Sequence, residues 1–316
     1  MKRTKFILIV TGLVLLTACS NDEAQPSTDG LPILLTSTVC EQSTRASSGI
    51  QNTQLAEGEK VNVYITAVGG GATYDPKTYN VNNEGELSPV GNVYPYFPTN
   101  GNSIDLYALY PSTVTNAVTK FTVSSNQDRQ AQYKASDLMY GLHVDGDGNK
   151  QNIAPTSDKQ TITFRHKLSK VTVQLISGTG SPTVTGATIQ LCNVFTQVGF
   201  TPSSGAVGGT SGETGFVTVT ESTSASGNSV SPVSAIIPPQ TIGTGYFLKI
   251  RLTGGDVVYY SPSQSFDMES GKEYRFNVTI NQNTISVNYT VSDWLNTQDV
   301  NGDDNNVVTT QTELQP

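Results

Sequence analysis

The chain has 316 residues, room for about two domains and for a core that needs no disulfide staples. It holds 29 Gly and 15 Pro with only 14% charged residues, a composition that argues against long helices and for many short strands joined by turns. Net charge is −8, and because residues 1–45 carry four charges of each sign the remainder is also at −8; an acidic surface without a basic cluster argues against nucleic acid and anionic membrane surfaces as partners.

Lys2, Arg3 and Lys5 precede an apolar run from Phe6 to Leu16, too short for a membrane span and read as the core of a signal peptide over residues 1–18. Leu16-Thr17-Ala18-Cys19 resembles the lipobox of bacterial lipoproteins. That resemblance implies cleavage before Cys19, a diacylglyceryl group on its sulfur and a palmitate-type acyl chain on its new amine. Two or more chains anchor stably, at about 0.8 kcal/mol per buried methylene. The alternative is an incidental cysteine after a plain secretory signal. Ser20-Asn21-Asp22-Glu23 resembles the short acidic tether that sends some outer-membrane lipoproteins to the cell surface, and by its residues alone it is a solvated linker.

From Leu31 the chain alternates. Leu31, Ile33, Leu35 and Val39 share one face, with Ser37 between them, while Pro32, Thr36 and Thr38 fall on the other. Period two with β-branched residues predicts a half-buried strand over Leu31–Val39. Burying the four aliphatic side chains would contribute about 6–12 kcal/mol as an upper bound. Losing such a strand would leave an apolar groove and two rows of unpaired backbone groups, which invites another chain. Arg45 follows in Gln42-Ser43-Thr44-Arg45-Ala46-Ser47-Ser48-Gly49, a small polar loop open to proteases. One cut between Arg45 and Ala46 would release the lipid anchor and open the groove together. The bland reading is a solvated arginine.

Further on, Lys60–Val68, Ile104–Tyr110, Phe121–Val123 and Asp137–Val144 read as strands, and Val93–Pro98 is too rich in proline to be a central one. The pattern restarts at Thr161–Phe164 and Leu168–Ile176, which puts a domain boundary near Arg165. Thr188–Val194, Phe216–Thr220, Val233–Ile237, Gly245–Leu252 and Val257–Tyr260 follow, with a Gly- and Ser-rich loop expected over Thr201–Gly215. Glu273–Ile280 and Thr284–Val291 read as a hairpin. Antiparallel strands with polar outer faces fit one β-sandwich in each half, residues 46–165 and 166–316. Past Trp294 the chain turns acidic, and Val307–Leu314 regains β-propensity, with Val308, Thr310, Thr312 and Leu314 on one face. It carries fewer large apolar residues than Leu31–Val39, and by its residues alone it reads either as a further β-forming segment or as a frayed end.

Catalytic and metal patterns are absent. His143 and His166 sit in no nucleophile elbow or metal pair, and His166 shares a strand face with Phe164 and Leu168, as a satisfied core histidine does. Asp145-Gly146-Asp147-Gly148-Asn149 and Asp299–Asp303 look like calcium loops, but each has a threonine, Thr156 and Thr310, where the bidentate carboxylate belongs. Gly69–Gly71 and Gly205–Gly212 lack the following Lys-Ser/Thr of a phosphate cradle. Cys192 reads as a buried thiol. Tyr94, Tyr96, Phe97, Tyr107 and Tyr110 form the best candidate ligand surface, with core roles the plainer reading. No cofactor or metal is expected, and no enzymatic activity.

The order of these features resembles the fimbrillins, the type V pilins of Gram-negative anaerobes. Phe164-Arg165-His166-Lys167-Leu168-Ser169-Lys170-Val171 is similar to the family's characteristic strand, and Ile237-Pro238-Pro239-Gln240 to its proline-glutamine turn. Ser270-Gly271-Lys272-Glu273-Tyr274, the final hairpin and Trp294 match its usual ending. The resemblance implies an all-β chain of two tandem transthyretin-like β-sandwich domains, preceded by a lipid tether and removable strand over residues 19–45. It implies an outer-membrane precursor, cleavage by an arginine-specific protease, and polymerisation with other pilin subunits by donor-strand exchange, with Val307–Leu314, in a tail of about 304–316, as the strand given to a neighbour. A shaft subunit gives and receives a strand and is favoured, a tip only receives, and a base anchor stays uncut. The alternatives are a monomeric surface lipoprotein that binds glycan or host protein and, more weakly, a glycan-degrading enzyme.

Overall fold

The computed structural model describes residues 30–39, 54–145, 148–149, 151–180, 182–219, 225–226, 229–282, 284–294 and 312–313. The chain is nearly all β. Its first strands are β1 (Leu35–Val39), β2 (Lys60–Ala67), β3 (Lys77–Val81), β4 (Glu86–Pro89), β5 (Ile104–Tyr110), β6 (Lys120–Thr122) and β7 (Asn126–Gln127). A six-residue helix, α1 (Gln130–Ala135), comes next, then β8 (Met139–Asp145), β9 (Gly148–Asn149) and β10 (Gln160–His166). The second half supplies β11 (Ser169–Ser177), β12 (Thr188–Thr201), β13 (Ala206–Val219), β14 (Ala225–Ser226), β15 (Ser229–Val230), β16 (Val233–Ile237) and β17 (Gln240–Ile242). The last strands are β18 (Leu248–Arg251), β19 (Val257–Tyr260), β20 (Phe266–Met268), β21 (Lys272–Ile280), β22 (Thr284–Asp293) and β23 (Thr312–Glu313).

In the first half the strands lie in the order β10-β1-β4-β3-β2-β5-β8-β9, and β8 also pairs with β10. The pairing therefore runs round without a break through β10, β1, β4, β3, β2, β5 and β8. Alternation explains the filling. Ile33, Leu35, Val61, Leu106, Ile162 and Phe164 all turn inward into one buried cluster. Two strands have no clear signature in the sequence, β3 and β4, because each is short and their apolar positions are few. They are joined by an Asn82 turn, whose side-chain oxygen accepts the N–H groups of Glu84 at 2.9 Å and Glu86 at 2.8 Å.

Sheet membership changes between His166 and Ser169. One later sheet has the order β14-β15-β11-β21-β22-β23 with β16 also on β11; the other runs β19-β18-β12-β13-β7 with β6 on β12, and β17 pairs with β20. A separate core cluster fills this half, with Val173, Leu191, Ile250, Phe276 and Val287 among its fully buried members.

The expected loop at Thr201–Gly215 is corrected: most of it is β13, paired with β12 from Gln190↔Thr218 to Thr201↔Ala206. Its glycines and serines leave little apolar signal, so the backbone ladder, not side-chain burial, defines the strand. This hairpin joins the halves, because β6 pairs with β12 and β7 with β13. At its turn Gly205 has φ +64°, and a Cβ there would lie 2.3 Å from the Tyr140 ring. The bare backbone lets the turn press on that ring, and the Tyr140 hydroxyl donates to the Ser203 carbonyl at 3.1 Å. A third buried cluster lies here, drawing Tyr64, Leu109 and Tyr140 from the first half and Leu168, Phe200 and Trp294 from the second.

Candidate functional site

The most distinctive site is the seat of β1. It runs parallel to β10, from Leu35↔Gln160 to Val39↔Phe164, and antiparallel to β4 at Leu35↔Leu87 and Thr36↔Glu86. Upstream the segment is laced to an irregular stretch: Ile33 N–H donates to Pro95 O and Phe97 N–H to Leu31 O, each at 2.8 Å. Ile33, Leu35 and Val39 are buried, as the alternation predicts, and Ser37 is buried with them. Leu31 is the exception at 43% exposed. It lies before the strand, where its neighbours are the Tyr96–Phe97 backbone and no ladder covers its side chain. With three aliphatic side chains covered, burial at this seat contributes roughly 5–9 kcal/mol.

Gly85 forms the wall opposite Ser37. Its carbonyl accepts three donors: Ser37 N–H at 2.7 Å, Ser37 Oγ at 2.8 Å and Thr36 Oγ1 at 3.2 Å. Gly85 has φ +78°, and a Cβ there would stand 2.7 Å from Ser37 O, so the two backbones meet without a side chain between them. Across the strand, Lys159, which leads into β10, is ion-paired with Glu86 of β4. The pair joins the two walls of the seat. Its hydrogen bond, together with one from Asn82, holds the Glu86 carboxyl below its ordinary value, and the same bond raises the Lys159 ammonium.

A second constellation lies at the junction of the halves. The His166 ring stacks on Trp294, centroids 3.9 Å apart at 7°, and its Nδ1 lies 2.7 Å from Asp137 Oδ1. Among the described residues His166 Nε2 has no hydrogen-bond partner. Lys170 Nζ sits 6.0 Å from the Trp294 ring and 3.6 Å from Glu273, whose other oxygen accepts from Thr172 Oγ1 at 2.7 Å. Burial holds the Lys170 ammonium below the ordinary lysine value, with Glu273 opposing it. The conspicuous Phe164–Val171 stretch and Trp294 thus meet in one place; Asp137, the partner that orients the histidine, carries no signal in the sequence. The proline-glutamine turn braces a neighbouring strand. Gln240 Oε1 accepts Phe195 N–H at 2.8 Å and its Nε2 donates to Phe195 O at 3.1 Å, where β12 breaks register.

The five aromatic residues named as a ligand surface do not converge. Tyr110 and Phe97 are core, Tyr107 stacks between Tyr64 and Tyr140, Tyr94 is half-buried and Tyr96 is exposed. Asp145 pairs with Gly148 in the β8–β9 hairpin, and among the described residues no group of three or more His, Cys, Asp or Glu could hold a metal. Cys192 is a free, buried thiol whose value is raised by burial. Cys19, Arg45, Ala46, Val308, Thr310 and Leu314 lie outside the described residues. Of the tail, Thr312–Glu313 pair with Thr284–Ile285 of β22.

No curated protein matches the sequence. Among solved structures, a proposed cell adhesion protein of Bacteroides uniformis overlays with a TM-score of 0.62 at 22% identity, covering 83% of this chain and 99% of its own. A second, from Bacteroides ovatus, gives 0.62 at 16% identity over 83% of this chain and 97% of that one. The tip fimbrial protein Mfa3 of Porphyromonas gingivalis overlays more loosely, at 0.45 and 10% identity over 75% and 95%. A family model described as fimbrillin-like matches residues 44–294, from one residue before Arg45 to the tryptophan stacked on His166. The chain belongs to the fimbrillin-like family.

Proposed function

We propose that this chain is a non-enzymatic structural subunit of a cell-surface pilus, built as two β-sandwich units over residues 46–165 and 166–316. It is exported as an outer-membrane precursor lipidated on Cys19, cut by an arginine-specific protease between Arg45 and Ala46, and polymerised by donor-strand exchange. The observation that carries this is the seat of β1. A single strand near the N-terminus is inserted between β4 and β10, with Ile33, Leu35 and Val39 buried against the core, and it is followed by the small polar linker that holds Arg45. Taking it out leaves the ring of strands open along β10, five residues of unpaired edge beside an apolar slot, which a second chain can cover by β-augmentation. The family match supports the same division, since residues 44–294 leave both the removable strand and the tail outside. A shaft role is favoured over a tip because the tail has a β-forming segment to give, and a head-to-tail contact of this kind propagates without closing.

The test is the N-terminal residue and the assembly state after arginine-specific digestion of the purified precursor. The pilin reading expects Ala46 as the new N-terminus and a ladder of multimers that resists mild denaturant. A monomer that keeps residues 19–45 and forms no ladder would overturn it in favour of a monomeric surface binder.

A further inference from the structure

Ser37 interrupts an otherwise aliphatic face, and the seat of β1 gives that interruption a purpose. Its N–H and Oγ both donate to Gly85 O, at 2.7 and 2.8 Å, while Leu35 and Val39 on either side are buried in the apolar core. Gly85 stands where β4 leaves the ladder, so its carbonyl depends on β1 for donors. We propose that the groove between β4 and β10 is selective at this one position for a small residue bearing a hydroxyl. This sets the register in which the tail of a second copy enters, with Val308, Thr310, Thr312 and Leu314 taking the places of Ile33, Leu35, Ser37 and Val39. The inference rests on the strand-exchange reading above.

The tail allows few alternatives. Placing Thr309 opposite Gly85 would send Asn305 and Gln311 to the buried ends of the groove, and placing Thr310 there would send Asn306 into the slot of Ile33. Moving the tail the other way puts Leu314 opposite Gly85 and Pro316 in the slot of Val39. With Thr312 opposite Gly85, both ends of the groove receive an aliphatic side chain and the carbonyl regains a hydroxyl. The scarcity of large apolar residues in the tail is then half explained: one of its two inward threonines is required. The other, Thr310 in the place of Leu35, fills its slot incompletely. Keeping the direction of β1 preserves the parallel ladder to β10, so Gln311 would stand opposite Thr161 as Thr36 does. Entry also requires Thr312–Glu313 to leave the edge of β22.

The experiment digests the full-length precursor with an arginine-specific protease and reads the ladder for donor variants. Thr312→Ser should ladder like the parent, and Thr312→Leu should slow assembly about tenfold or more, because it removes a hydroxyl donor and overfills a packed site. Thr310→Leu should slow disassembly in denaturant by about tenfold. Register is read by a disulfide: Thr161→Cys with Gln311→Cys should cross-link neighbouring subunits on oxidation, whereas Thr161→Cys with Thr309→Cys or Glu313→Cys, one row away, should not. Cys19 and Cys40 leave with the N-terminal piece and Cys192 is buried, so the background is low. Equal assembly of Thr312→Leu and parent would overturn the selectivity. A ladder that cross-links through position 309 or 313 would overturn the register. If the parent itself forms no ladder, the exchange reading fails first.

Discussion

Replacing Leu35 by alanine separates the two lives assigned to β1. Leu35 is 2% exposed and belongs to the first-half core. Truncation removes its transfer free energy and leaves a cavity that the flanking ladders to β4 and β10 hinder from collapsing, so a cost of about 3 kcal/mol is expected, within the usual span of about 2–5. For a unit of this size that lowers the unfolding temperature of the intact precursor by roughly 10 °C. The same loss weakens the hold on the strand by up to about a hundredfold. After cleavage at Arg45, exchange should therefore run faster than in the parent. Once the polymer has formed, residue 35 has left the molecule, and its stability should match that of the parent polymer. Calorimetry on precursor and polymer, with Thr38→Ala on the outer face as the control, together with the rate of ladder formation, measures all three effects. An equal loss in the polymer would mean that β1 stays in place, and an unmoved precursor would mean that its seat is not the core site described.

Two further outcomes follow from the junction and the buried phenols. Trp294→Ala should cost about 3–5 kcal/mol, because the ring is 4% exposed and stacked on His166, while Trp294→Phe should recover much of it; loss of the third core cluster should appear in calorimetry as the two halves unfolding apart. Raising pH should unfold the chain cooperatively. Burial, with Tyr107 adding to it, pushes Tyr140 up to about 12, and burial likewise raises Tyr79 and Tyr133, so the unfolded chain releases these protons first. The stability they carry is complete below the ordinary tyrosine value of 10.0 and is lost as pH climbs through about 12. Lys170 and Lys167, both lowered by burial, act oppositely below 10.5, two groups against the larger set of raised tyrosines that also includes Tyr64, Tyr74, Tyr274 and Tyr289. Tyrosinate absorbance should rise in two stages, the second coincident with unfolding; a single smooth titration of all 14 tyrosines in a folded chain would contradict this.

Much of the architecture was legible because alternation survives in aliphatic strands. Lys60–Ala67 and Ile104–Tyr110 announce themselves by period two, and each is a strand with its alternating apolar residues turned inward. Where the ladder, not burial, supports a strand, the sequence is silent. Ala206–Val219 carries glycine, serine and threonine over most of its length and reads as a loop, yet it pairs with β12 and, through β6 and β7, helps to join the halves. Partnerships across long separations were equally hidden. Asp137 and His166 lie 29 residues apart, and only the return of β10 alongside β8 brings them within 2.7 Å.

At the seat of β1 the sequence announced the strand and its inward face but not its neighbours. Leu31 carries the same alternation as Ile33, and both precede the ladder that begins at Leu35, yet only Ile33 reaches the core. Ser37 looked like a gap in the apolar face; its meaning depends on Gly85, 48 residues away, a glycine whose positive φ turns its carbonyl toward β1. The ion pair between Glu86 and Lys159 was hidden for the same reason, since β4 itself leaves so little trace in the sequence. The segment Ile33–Val39 is held by three aliphatic side chains and two hydroxyls on Gly85 O, with an exposed ion pair across the walls of its seat. On the strand-exchange proposal that hold must be firm enough to complete the fold before the linker is cut and short enough to let go afterwards, and a ladder of only five residues on β10 meets both demands.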